Sequence, residues 1–231
     1  MHLRGQIIVS CFRILRQTLL LALRPWLWDF GTLSRSDLSP DPTVEFARWF
    51  RRARRSLWLE FPEAMCLSTL GSSGYPDGRF VLLKDFGPEG FVFYTNTLSE
   101  KGQALKTLPK ASLAFYWEPL HRQVRIQGDI VRVSDKEADR YFASRPRVSQ
   151  IGAWASLQSQ ALDCRSTLDK RVEEFKARFR GSQVPRPQHW HGYRVVPVRM
   201  EFWKLRANRL HDRFVYTRQE DGSWKLGRLY P

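Results

Sequence analysis

A chain of 231 residues that is 42% hydrophobic and 13% aromatic has the apolar material for a real core, in one large domain or two small ones. Its 38 basic residues outnumber 23 acidic ones, and the formal charge of +15 points toward anionic partners: nucleic acid, a membrane surface or phosphorylated small molecules. The three cysteines, Cys11, Cys66 and Cys164, are odd in number, far apart and without CxxC spacing, which excludes a disulfide framework and favours a reducing compartment. Nine tryptophans suit stacking surfaces. His189 and His191, with no third ligand at a suitable spacing, are a weak metal signal.

Residues 1–28 carry Arg4, Arg13, Arg16 and Arg24 and no acid, and the apolar run from Thr18 to Leu23 is far too short to span a bilayer. Residues 1–35 therefore read as a disordered or loosely packed N-terminal extension, and 36–231 as a single domain. In SDLSPDP, Asp41 can cap a helix and Pro42 suits its first position. Phe46, Trp49, Phe50 and Leu57 mark one apolar helical face, and the run Arg51 to Arg55 falls mostly on the opposite, solvated face, a surface and not a nucleic-acid site. From Ala64 the pattern turns to strands, with GSSGYPDG, Gly71 to Gly78, as a turn cluster. RFVLLKDF follows. Its Arg79 and Lys84 are an odd number apart, so a regular strand would point them to opposite faces, where each could serve a separate anionic group.

FVFYTNT, Phe91 to Thr97, is another strand after a turn at Gly87 to Gly90. Ser99 caps the next helix and Pro109 ends it, and the helix N-terminus with Lys101 suits a phosphate. ASLAFYWEPL and RQVRIQGDIVRVS are two strands joined by Glu118 to His121, with Gln123 and Arg125 on the face opposite Arg122. DKEADRYFASRP is a helix with Tyr141, Ser144 and Arg145 near its end, and the small, polar stretch Ser149 to Gln160 reads as a ligand-contacting loop. An amphipathic helix follows, with Leu168, Val172, Phe175 and Phe179 on one face. Val196, Val198, Met200 and Phe202 then alternate at strand period. Continued, that period puts Arg209, His211 and Arg213 on one face, where three cationic or potentially cationic groups repel unless an anion lies among them. With Trp203 nearby, this face suits a planar anionic ligand. The bland alternative is a solvated edge strand with Asp212 as counter-charge. About six to eight short strands interrupted by helices, with no GxGxxG, P-loop or GxSxG and no repeat, point to a mainly β, antiparallel barrel with peripheral helices.

RFVLLKDF, FYTN, KGQAL, ASLAFYWEPLHRQVRIQG, YFASRPRVSQIGAWAS and EFWKLRANRLHDR together resemble the pyridoxine/pyridoxamine 5′-phosphate oxidases, in the same order over Pro40 to Pro231. The resemblance implies an FMN-binding split β-barrel, a homodimer with FMN at the interface, and a cytoplasmic enzyme with no metal, nucleic acid or membrane partner. It implies oxidation of pyridoxine or pyridoxamine 5′-phosphate to pyridoxal 5′-phosphate, with dioxygen reduced to hydrogen peroxide. By the same resemblance, Arg79 and Lys101 are FMN-phosphate ligands beside Ser159. Phe80, Val81, Leu82, Tyr94 and Thr95 run along the flavin, and Gln123, Gln158, Trp203 and Arg213 match further FMN positions. Lys84, Tyr141, Arg145 and Ser149 match the substrate-phosphate pocket, and Arg209, Leu210 and His211 the contacts to the pyridine ring. Two departures stand out. Glu100 replaces an arginine before the lysine of the KG motif, and the segment that closes over substrate offers Arg24, Trp26 and Trp28 but no tyrosine. A non-catalytic carrier of FMN or pyridoxal phosphate on the same barrel is the rival reading. It has no need of the Arg209–Leu210–His211 triplet.

Overall fold

The computed structural model describes residues 31–231. The first helix, α1 (Pro42–Arg54), starts where the sequence places it: the Asp41 carboxylate accepts a hydrogen bond from the Thr43 amide at 2.7 Å, and Pro42 takes the first turn. Its apolar face is wholly buried. The Phe46 ring meets Phe91 at 4.8 Å, Phe86 at 5.0 Å and Phe115 at 5.2 Å, and Trp49 lies edge-on to Phe202 at 5.2 Å. Burying each such ring stabilises by about 1.5–3 kcal/mol, so this helix is pinned into the concave side of the sheet. Leu57 does not join that face. The helix ends at Arg54 and Leu57 is 93% exposed. Arg51, Arg52, Arg54 and Arg55 are exposed, as the period requires.

Among the described residues the sheet has nine antiparallel strands: β1 (Ala64–Leu70), β2 (Pro76–Leu82), β3 (Asp85–Gly87), β4 (Gly90–Asn96), β5 (Lys110–Trp117), β6 (Arg122–Arg132), β7 (Trp190–Lys204), β8 (Asp212–Arg218) and β9 (Trp224–Leu229). The order is β2-β1-β5-β6-β7-β4-β3, with β8 pairing β7 and β9. Strand β7 organises it. One side pairs with β6 along nearly its whole length, while the other pairs first with β4 and then with β8. The sheet therefore divides into two arms at β7. Residues of alternating strand positions, among them Phe93, Phe115, Ile126, Met200 and Phe202, fill the core against α1.

Four further helices among the described residues are peripheral: α2 (Glu100–Thr107), α3 (Asp135–Ser144), α4 (Arg147–Ala155) and α5 (Arg165–Arg178). Helix α4 corrects the expectation of a loop over Ser149 to Gln160. Ile151 and Ala155, four apart, are buried, and the Gln150 side-chain Nε2 donates to the carbonyls of Phe142, Ala143 and Arg145, each at 3.1 Å, so it seals the end of α3. Phe175 of α5 and Phe179 just after it pack on Trp154 of α4, at 5.6 and 5.4 Å.

Three more sequence expectations change. Strand β2 already begins at Pro76, so the turn is shorter than Gly71 to Gly78. It ends at Leu82, and Lys84 lies beyond it with its amide on the Val92 carbonyl at 2.9 Å, so strand alternation does not separate Arg79 from Lys84. The strand period also stops at Lys204. Residues Ala207–Arg209 form a short 3-10 turn in which Asn208 and Arg209 have φ of 57° and 60°, and Arg209, His211 and Arg213 do not share one strand face.

Upstream of α1, Leu33 is buried and its amide donates to Asp212 at 3.0 Å. Arg24, Trp26 and Trp28, the substitutes for a lid, fall among residues 1–30 and outside the described residues. Among the described residues no helix is long and apolar enough to cross a membrane.

Candidate active site

The outer end of β2, the end of β4, the first turn of α2, the end of α3, the inner face of α4 and the start of β7 surround one cleft of about 610 Å³. Arg79, Phe80, Val81, Leu82, Lys84, Tyr94, Thr95, Lys101, Tyr141, Arg145, Ser149 and Gln158 all line it, so both phosphate sets expected from the sequence meet in one place. Two glycines permit the close packing. A Cβ on Gly102 would come 2.4 Å from the Thr97 carbonyl oxygen, so only glycine lets the first turn of α2 sit against the end of β4. A Cβ on Gly192 would come 2.6 Å from Tyr94, whose ring crosses β7 there.

Cations and aromatic rings divide the cleft. At one end Lys101, 9% exposed, reaches Gln158 Oε1 at 3.2 Å and Ser99 Oγ at 3.4 Å, and Thr95 Oγ1 donates to the same Gln158 oxygen at 3.3 Å. Burial, and then the nearby Arg79, hold the Lys101 ammonium below the usual lysine range. The Arg79 guanidinium is fixed by Asp77, by Thr69 Oγ1 at 2.8 Å and by the Leu67 carbonyl at 3.2 Å. At the other end Tyr94 stacks on Tyr141 at 4.1 Å and on Trp190 at 5.0 Å, and Arg145 lies 4.8 Å over the Trp190 ring. Burial, and then Glu137, push the Tyr94 phenol up to about 12, and burial also raises Tyr141. Burial lowers Arg145, and its Nη1 is buried with no hydrogen-bond partner. An orphaned cationic donor inside a cleft calls for an anion.

Trp190 was missed by sequence reasoning. Its signal is its place between His189 and His191. His189 Nε2 lies 3.1 Å from the Ala153 carbonyl, and buried His191 joins Asp135 at 3.1 Å through Nε2, while its Nδ1 accepts from the Gly192 amide at 3.0 Å. Both histidines thus brace the cleft wall. Among the described residues no group of three His, Cys, Asp or Glu could hold a metal ion.

The remaining candidates lie elsewhere. Ser159, with φ of 72°, borders a neighbouring cavity of about 490 Å³ that also takes Glu100 and Asp77. Gln123, Trp203 and Arg213 are register partners across β6, β7 and β8, so they share a face. The His211 ring lies tilted against Trp203 at 4.6 Å, and its Nδ1 accepts from the Arg206 amide at 3.2 Å, which leaves Nε2 to carry the proton of the neutral ring. Arg209 is exposed and Leu210 is 67% exposed. Glu201, 1% exposed and also overlooked in the sequence, aims Arg213 through a 2.8 Å ion pair and meets Arg125 and Arg199 at 3.5 Å. Gly192, beside Tyr94, and Trp203 are on the same strand, and at roughly 3.3 Å per residue they stand on the order of 35 Å apart. One copy of the chain does not bring this set to its own cleft.

Residues 54–179 match the family model described as pyridoxamine 5′-phosphate oxidase, and residues 190–231 the pyridoxine 5′-phosphate oxidase C-terminal dimerisation region. The chain is 53% identical over 199 residues to the pyridoxine/pyridoxamine 5′-phosphate oxidase of Myxococcus xanthus (strain DK1622), across 86% of this chain and 96% of that protein. It is 50% identical over 204 residues to the protein of the same name from Microcystis aeruginosa, across 88% and 95%. Among solved structures, PhzG from Burkholderia lata 383, in complex with tetrahydrophenazine-1-carboxylic acid, superposes with a TM-score of 0.80 at 31% identity, covering 87% of this chain and 98% of that one. A pyridoxamine 5′-phosphate oxidase-related, FMN-binding protein from Nostoc punctiforme shares the fold, with a TM-score of 0.66 at 16% identity over 84% and 100% of the two chains.

Proposed function

The chain belongs to the pyridoxine/pyridoxamine 5′-phosphate oxidase family, and on that premise we propose that its cleft holds FMN and a phosphorylated pyridine together. The reaction is the oxidation of pyridoxine or pyridoxamine 5′-phosphate to pyridoxal 5′-phosphate. Bound FMN supplies the hydride-accepting chemistry and its discharge to dioxygen, which yields hydrogen peroxide. The observation that carries the reading is cationic groups at separate places in one cleft: Arg79 near Lys101, and Arg145 among the aromatic rings, with its Nη1 buried and unpartnered, while Lys84 lines the same cleft.

Arg79 and Lys101 would hold the flavin phosphate, with Gln158 and Ser159 beside them. Phe80, Val81 and Leu82 would lie along the ring system, with Tyr94 and Thr95 at its side. Lys84, Tyr141, Arg145 and Ser149 would clamp the substrate phosphate, a positioning role, since the phosphate is remote from the reacting carbon. The second set, Gln123, Trp203 and Arg213 toward FMN and Arg209, Leu210 and His211 toward the pyridine, would come from the other copy of a homodimer. The match of residues 190–231 to a dimerisation region supports this. Arg209 would stabilise negative charge that develops as the carbon is oxidised. Burial in such a dimer would also explain why Phe80, 80% exposed in the single chain, is apolar. Scattered cysteines, with Cys66 and Cys164 both free, favour the cytoplasm.

The test is peroxide release by the purified flavoprotein with pyridoxamine 5′-phosphate, alongside its flavin content. Flavin-loaded protein that releases no peroxide would leave the carrier reading in its place.

A further inference from the structure

Arg145 is held differently from the other partly buried arginines around it. Asp77 fixes Arg79, Asp135 and Asp139 fix Arg186, Glu89 and Glu137 fix Arg194, and Glu201 fixes Arg213. Arg145 has no such acid. Its Nη1 is buried without a hydrogen-bond partner, and among the described residues no carboxylate pairs with it. What it has are two rings. Its guanidinium carbon lies 4.8 Å over the Trp190 ring and 5.5 Å over that of Phe142.

Trp190 is itself firmly placed. It is 7% exposed, stacked on Tyr94 at an interplanar angle of 10° and on Tyr141 at 12°, with the Phe142 ring edge-on at 5.0 Å. Its amide donates to the Pro187 carbonyl and its own carbonyl accepts from Arg186 Nη1, both at 3.0 Å, and it pairs with Asn96 at the start of β7. A platform so anchored can orient a neighbour rather than follow it.

The two ways of holding an arginine leave different things for a ligand. A carboxylate fixes the guanidinium but forms a pair with no net charge. A ring face attracts it through the quadrupole and leaves the charge intact. A phosphate that enters then meets a cation already aimed, and the ordering it would otherwise have to impose costs it nothing.

We propose that Trp190 is a positioning residue of the substrate-phosphate pocket, whose indole face holds the Arg145 guanidinium in place, un-neutralised, before the phosphate arrives. This rests on the reading of the cleft given above.

The probe is 4-deoxypyridoxine 5′-phosphate, which keeps the ring and phosphate but lacks the oxidisable group at the 4′-carbon. It is titrated by calorimetry into full-length protein at saturating FMN, and thermal unfolding of each variant verifies that it is folded. Trp190→Met keeps a flexible apolar filler without a ring face, and should weaken binding about tenfold, the upper range for a desolvated cation over an indole. Trp190→Phe keeps a weaker face and should lose only about twofold to threefold. In an Arg145→Ala background, itself weakened, either substitution should cost less than about twofold, because the partner of the ring is gone. A ring needed only to fill space would cost the same in both backgrounds. Should Trp190→Met fail to fold, Trp190→Phe decides by the same comparison. Parent-like binding by the Trp190 variants, or equal losses with and without Arg145, would overturn the proposal and leave the clamp standing. Parent-like binding by Arg145→Ala would instead remove the phosphate from this pocket, and both readings would fall.

Discussion

The cleft at β2, β4 and α3 and the turn between β7 and β8 carry the two halves of the candidate site, and they are built in opposite ways. The cleft is assembled inside one chain. Tyr94, Tyr141 and Trp190 stack, Arg79 is fixed by three oxygens, and a buried Arg145 donor waits unsatisfied. The turn is nearly the reverse. Arg209 and Leu210 are exposed, and Asn208 and Arg209 adopt left-handed backbone that non-glycine residues rarely take. Arg213, behind them, is locked by Glu201 and the Tyr230 carbonyl at 3.0 Å. Strain of this kind persists where surrounding contacts over-determine it, often at functional sites. On the proposed reading, the difference teaches that anchoring would be prepared within each chain, whereas the ring-facing groups would be displayed outward for a second copy.

The sharpest way to break that comparison is to remove the displayed groups. Arg209→Ala and His211→Ala should keep FMN and lose about 2.7–4 kcal/mol of transition-state stabilisation, roughly a hundredfold to a thousandfold in turnover. Steady-state peroxide release with flavin content measures both. The division between copies adds a second reading. Mixed dimers of Arg209→Ala with Lys84→Ala chains contain one site with an intact cleft and an intact turn. Assayed well below KM, random mixing should therefore restore about a quarter of parental activity, more than either variant shows alone. No gain on mixing would place both sets in one chain's site.

Removing an anchor should cost less and appear elsewhere. Arg145→Ala deletes a charged donor worth about 1.5–3 kcal/mol, roughly tenfold to a hundredfold, and should raise KM for pyridoxamine 5′-phosphate more than it lowers kcat. Lys84 is exposed in the single chain, so Lys84→Ala should fall at the weaker end. A pure kcat loss in Arg145→Ala would move that residue from anchoring to chemistry.

How much of this was legible in the sequence follows the same division. Asp41 with Pro42, and Ser99 before Lys101, are local capping signals, and both helices start where those residues direct. The cleft residues were legible through long motifs, not through periodicity, and the structure gathers them across several elements. The strand period failed at the turn because nothing in RANRLHD announces left-handed backbone: no glycine stands there. Helix α4 was hidden because its buried positions, Ile151 and Ala155, sit among small and polar residues. Trp190 and Glu201 act through neighbours brought in by the fold, Tyr94 and Arg145 for one and three arginines for the other. No sequence spacing carries such information.

Lys101 tests how far the cleft is preformed. Its ammonium is held below the ordinary 10.5, first by burial and then by Arg79. A bound phosphate favours the protonated form and so raises that pKa. FMN affinity should therefore fall as pH climbs through the free-protein pKa, by at most about tenfold per pH unit, and the fall should begin below 10.5. Lys101→Arg stays charged throughout and should flatten the profile. Flavin release followed by fluorescence against pH decides it. An identical profile in the variant would remove Lys101 from the phosphate position.

The smallest effect is expected at Glu100, which stands next to that lysine where the family usually has arginine. Its carboxylate is exposed and borders the neighbouring cavity with Ser159, outside the lining of the main cleft. It acts on Lys101 only by a weak attraction that favours the charged ammonium, behind burial, Arg79 and Asp77. Two influences therefore oppose each other: repulsion of a phosphate by the carboxylate, and support of the lysine charge that attracts it. Both pass through solvent, where a surface pair is worth little. Glu100→Arg should tighten FMN by no more than about fivefold, and the gain should vanish at high salt. Flavin titration of apoprotein at two salt concentrations measures this. A tenfold or larger, salt-resistant gain would mean that the side chain reaches the phosphate in the dimer, and that the cleft, like the turn, is finished by its partner.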